Sequence, residues 1–136
     1  MVKVLVVGPS PTRSKGGMAT VIEEIAKDKT LNTKFDIDIY ESYVDGNKLS
    51  VLLFSVFSFI KFYFTKRNYD VYHINAASYG STFRKGWYVH AAKKWEKKVI
   101  LHIHGAEYML FYEKSNQKDK IISILKEADE VIALSA

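Results

Sequence analysis

The sequence contains no cysteine, which removes disulfide scaffolds and thiolate metal sites and is compatible with a reducing compartment. Only 2 of its 136 residues are proline and 7 are glycine, too few for a collagen-like or low-complexity chain. Long hydrophobic runs are also missing. The most apolar window, Leu49 to Phe64, spans 16 residues with one charge at Lys61, short of the ~20 that a membrane-spanning helix needs. Acidic residues are the minority charge, 15 against 20 Lys+Arg, giving a net charge of +5 and a pI near 9.3. That balance favours anionic partners such as phosphates, nucleotides or acidic lipid headgroups. The first eight residues, Met1 to Gly8, read as a strand ending in glycine rather than as a secretory signal.

What is present is ordinary globular material, 48% hydrophobic and 26% charged, enough for one core and therefore one domain over residues 1–136. Lys3 to Val7 is β-rich and nearly continuously apolar, as in a strand buried on both faces. A loop from Gly8 to Gly17 leads into a helix over Met18 to Ile25. Phe35 to Tyr40 alternates with Asp36 and Asp38, the pattern of a half-exposed or edge strand. The apolar window follows as a long helix ending near Lys66 to Asn68. Strands at Asp70 to Asn75, Lys98 to Ile103 and Glu130 to Leu134 are separated by helices at Thr82 to Lys94 and Lys118 to Ala128. Regular alternation of strand and helix, without repeat or linker, predicts an α/β fold. It is a Rossmann-like doubly wound parallel sheet of about five strands with helices on both faces. The chain ends just after the last strand with no helix to cover it, so it reads as a truncated domain.

Three places on the carboxyl-end rim of that sheet carry candidate chemistry. The loop Gly8 to Gly17 holds Arg13, Lys15 and the pair Gly16-Gly17 before a helix, where backbone N–H groups and the helix dipole would stabilise a phosphate. A glycine-rich turn with solvated cations is the plainer alternative. The spacing fits neither G-x-G-x-x-G nor G-x-x-x-x-G-K-[ST]. The fourth strand runs into His102-Ile-His104-Gly-Ala-Glu107, with both histidines on one face and His104 at the strand's edge. A neutral imidazole there would exchange hydrogen bonds with a ligand hydroxyl. Nothing nominates further metal ligands, so no metal site is expected. The third strand places His73 and Asn75 on one face near the same rim, with Arg84 and Lys85 in the helix beyond. Packing is the plainer account of His73, and a solvated basic face is that of Arg84 with Lys93, Lys94, Lys97 and Lys98.

Taken together, Lys3 to Gly8, Gly16-Gly17-Met18, Asp70 to Asn75, Ile100 to Glu107 and Ala128 to Ser135 resemble one family across the whole chain. It is the N-terminal, acceptor-side domain of retaining GT-B glycosyltransferases of family four, polysaccharide-biosynthesis type. The resemblance implies sugar transfer from a nucleotide diphosphate sugar to a glycan or lipid-linked acceptor with retention, without bound cofactor or metal. It implies that Gly16 and Gly17 bind the donor and that His104 acts at the reacting centre. Arg84, Glu107, His73 and Asn75 would face the acceptor. It also implies a second, donor-holding domain, absent here together with its Glu-x7-Glu pair, so that the fragment alone would be inactive. A cytoplasmic location at the inner face of the membrane would follow. The alternative is a stand-alone nucleotide- or flavin-binding, flavodoxin-like module; a nucleic-acid partner has no recognition motif in its favour.

The long helix carries the last expectation. On a helical wheel Ser50, Ser58, Lys61 and Thr65 fall within about 80°, with Ser55 about 60° outside, and the rest of Leu49 to Phe64 is apolar. That apolar sector is wider than one sheet contact needs. The helix is expected to bury one side and offer the other to an anionic membrane surface or to protein.

Overall fold

The computed structural model describes residues 2–9, 17–43, 47–76, 80–104 and 113–133. Along them run β1 (Val2–Pro9), α1 (Gly17–Lys27), α2 (Lys29–Lys34), β2 (Phe35–Tyr43), α3 (Lys48–Thr65) and β3 (Val71–Ala76). They are followed by α4 (Gly80–Lys94), β4 (Lys98–Ile103), α5 (Lys118–Glu127) and β5 (Glu130–Ala133). All five strands pair in parallel in the order β2-β1-β3-β4-β5. The doubly wound α/β fold is therefore the one the alternation predicts. The chain starts in mid-sheet, steps to the β2 edge, then crosses back past β1 to β3. That reversal puts a topological switch point between the carboxyl ends of β1 and β3.

The two sheet faces follow from strand parity. Leu5 and Val7 share one face with Tyr72, Ile74, Val99 and Leu101, and this face is roofed by Phe62 of α3 and Tyr88, Val89 and Ala92 of α4. Phe62 is the keystone. Its ring centroid lies 4.6 Å from Tyr88, 5.7 Å from Tyr72 and 5.3 Å from Trp95. Edge-on aromatic pairs each add roughly 0.5–1.5 kcal/mol to what burial supplies.

The opposite face carries Val6, Gly8, His73, Asn75, Ile100 and His102, and α1 settles on its β1 side through the fully buried Ile22. Gly8 is what permits that approach, because a Cβ there would stand 2.3 Å from Ile22 Cδ1. Toward β4 and β5 this face is only half-covered: His73, Ile100 and His102 are half-buried and Ile132 is exposed.

The structure adds a helix that the sequence pattern does not signal. Asp28 caps α2 by accepting from Leu31 N–H at 3.0 Å, and no residue of the helix is buried, so it has no apolar stripe to read. Gly17 opens α1 instead of closing the preceding loop. The edge strand β2 continues to Tyr43, with Asp36 and Asp38 exposed as their alternation predicts.

Candidate functional site

Three strand ends converge at the switch point. Asn75, near the end of β3, is fully buried, and its Nδ2 donates to the Val7 carbonyl of β1 at 3.1 Å. Only the amide nitrogen can serve a carbonyl, so the amide is oriented and Oδ1 turns toward His104. His104 Nε2 lies 2.8 Å from that oxygen, which can only accept. The proton therefore sits on Nε2, and the Nδ1 of the neutral ring is the acceptor atom. The backbone holds the same ring in register, since His104 N–H donates to Ala76 C=O at 2.9 Å. On the far side of β1, Ser42 Oγ donates to the Gly8 carbonyl at 3.1 Å, tying β2 to the same rim.

A row of imidazoles extends from this anchor across β4 to β3. The His104 and His102 ring centroids are 4.1 Å apart, and His102 and His73 stack at 5.3 Å with 13° between planes. His73 Nε2 and His102 Nδ1 are 3.2 Å apart, so one donates to the other. Burial lowers the pKa of all three, and neighbouring imidazole charge adds to it, carrying His73 and His104 down to about 4. Near neutral pH the row is uncharged and its nitrogens act as hydrogen-bonding groups, not as cations. Among the described residues, His102 Nε2 is buried without a hydrogen-bond partner. No three His, Cys, Asp or Glu side chains among the described residues are placed to hold a metal ion.

The predicted residues thus divide. His104, Asn75 and His73 are brought together, and His102 joins them through the in-register pairing of Asn75 with His102. Gly17 contributes the first backbone position of α1. Gly16 and Glu107, with Arg13 and Lys15, lie outside the described residues. Arg84 stands on α4, the helix over the other face of the sheet, where its charge acts on Lys85 and Tyr88. Lys85 beside it is not part of a solvated basic face: it is 2% exposed, and burial pushes its ammonium down to about 7, with Arg84 adding to the shift. Its position at i−4 from Val89 on the buried side of α4 is the sequence signal that could have found it.

No protein-family model matches the chain, and no curated protein matches it.

Proposed function

We propose that this chain is the acceptor-side domain of a retaining GT-B glycosyltransferase, working with a second domain that holds most of the nucleotide diphosphate sugar. The observation that supports this reading most directly is the fixed hydrogen-bond relay from Val7 C=O through Asn75 to His104 at the β1/β3 switch point. Such a crevice is where open α/β sheets meet ligands. A neutral imidazole held by its Nε2–H presents Nδ1 to accept from a sugar hydroxyl without a counter-charge to displace. In this reading the Gly16-Gly17 backbone would meet the donor diphosphate, Glu107 and His73 would serve the acceptor side, and the buried Asn75 would position His104. Hydrogen-bond donors aimed at the leaving diphosphate would stabilise charge developing there. A soluble nucleotide sugar as donor would place the work in the cytoplasm.

The test is His104→Gln in the two-domain protein, assayed for release of nucleoside diphosphate from a panel of UDP-, GDP- and dTDP-sugars. Glutamine keeps an N–H where Nε2 was but has no Nδ1. Turnover should fall by about 100-fold or more with the fold intact, the range typical of a lost catalytic hydrogen bond. Near-wild-type turnover would remove His104 from the site.

A second reading rests on the strand order itself, which is that of flavodoxin-like modules whose mononucleotide sits at the same switch point. Titration of the chain with FMN separates the two. Tight binding by the chain alone favours a flavin module, whereas the transferase reading expects weak binding at most.

A further inference from the structure

Helix α3 is inverted relative to an ordinary surface helix. Its sheet-facing side buries Ser55 and Ser58 beside Phe62, while Phe57 and Phe64 point outward at 73% and 72% exposure. Every large apolar residue that α3 exposes falls in one sector of about 140° on a 3.6-residue repeat, where the Tyr63 hydroxyl is the only polar side-chain group. The apolar surface continues across a groove of about 350 Å³ lined by Phe59, Tyr63 and Lys94 to the exposed Trp87 of α4.

Positive charge predominates on the two helices that form this surface. Neither α3 nor α4 contains a single Asp or Glu. Lys61 borders one flank of the stripe. Arg67 and Lys94 border the other, over the Tyr63 ring at 4.9 and 5.8 Å. The nearby carboxylates lie beside basic groups: Glu41 lines a cavity together with Lys61 and Lys66, and Glu127 bonds Nδ1 of His90, which lines the groove, at 2.9 Å. An aliphatic and aromatic stripe with Trp and Tyr beside it and cations on both flanks matches a bilayer interface.

We propose that α3 lies flat on an anionic membrane surface, its outward apolar sector among the acyl chains and Lys61, Arg67 and Lys94 at the phosphates. At 18 residues α3 is longer than the 16-residue apolar window read from the sequence and, by length and composition, could cross a membrane, but its inner side is committed to the protein. Phe62 is fully buried, and the Ser58 carbonyl accepts from Tyr40 Oη at 2.6 Å. The helix therefore docks in the plane of the interface, where such helices sink roughly 5–10 Å. The inference does not depend on sugar transfer.

The experiment is flotation of the chain through a density gradient with phosphatidylcholine vesicles, alone or with a third phosphatidylglycerol, at low and high salt. Flotation separates lipid-bound protein from aggregate, which pellets. The chain should float with the anionic vesicles at low salt, and its tryptophan emission should shift to the blue. Phe57→Ser with Phe64→Ser should weaken partitioning by about tenfold or more. Lys61→Gln with Lys94→Gln should weaken it by about tenfold on anionic vesicles only. Both pairs are solvent-facing, and far-UV circular dichroism checks that each variant is folded. Three outcomes overturn the proposal: no flotation of the wild type, flotation of the phenylalanine pair equal to wild type, or a lipid-free dimer that the phenylalanine pair dissolves while vesicles go unbound. The last would assign the stripe to a second copy of the chain.

Discussion

At the scale of single residues, the Asn75 amide decides the geometry of the rim. Asn75→Ala would remove the side-chain donor to the Val7 carbonyl and leave the His104 Nε2–H without its acceptor. Unfolding by urea should show a loss of about 1–3 kcal/mol, the cost of such an orphan. Protonation tests the same cluster. His73 and His104 titrate near 4 in the fold and near 6.5 when unfolded, so between those values the unfolded chain binds more protons. Stability is therefore complete above about pH 6.5 and falls as pH drops toward 4. The linked loss should be on the order of 2 kcal/mol for each of the two histidines by pH 5. A urea midpoint unchanged between pH 7.5 and pH 5 would contradict the buried neutral row. Gly8 gives a third test: Gly8→Ala drives a methyl into Ile22 and should cost about 1–3 kcal/mol by the same assay. At this scale the residue types at the rim were legible, because alternation puts His73 with Asn75 and His102 with His104. Their meeting was not, because it needs the register of β3 against β4, which no local pattern specifies.

At the scale of elements, α3 shows how far composition carries. Its length, its place between two strands and its excess of apolar surface all follow from the run Leu49 to Phe64. Which side faces the sheet does not. Burial of Ser55 and Ser58 instead of leucines goes with Phe62, the one fully buried phenylalanine of the helix, which sits among Tyr72, Tyr88 and Trp95 while Phe59 packs edge-on against Tyr88 beside it. Thermal unfolding should resolve the two faces. Phe62→Ala is expected to cost about 3–5 kcal/mol, while Phe57→Ser should change stability by about 0.5 kcal/mol or less. Equal effects from the two substitutions would contradict this orientation, and a larger effect at Phe57 would place the helix the other way round. By contrast, α2 was invisible because a six-residue helix without a buried residue is held by its Asp28 cap and by Asn32 Nδ2 bonding back to the carbonyls of Ile25, Ala26 and Asp28.

At the scale of the whole molecule, the strand order β2-β1-β3-β4-β5 gives one crevice at the rim and, on the α3 side of the sheet, one cationic apolar surface. If the crevice belongs to a two-domain transferase, calorimetric titration of this chain with nucleotide diphosphate sugars should give Kd values no tighter than about the millimolar range, because most donor contacts would lie in the other domain. Micromolar binding of FMN would point instead to the flavin module. The sequence by itself determined the alternation of elements, the burial of β1 on both faces, the half-exposed pattern of β2 and the cationic, cysteine-free character. Each is written in local periodicity or composition, and the physics of a strand or helix reads it directly. Only the tertiary structure decided that β3 passes to the far side of β1, that Asn75 reaches Val7 and His104, that Lys85 is buried, and that α3 turns its serines inward. Those facts depend on contacts between residues far apart in the chain, and their free energies exist only once the sheet has closed in one register.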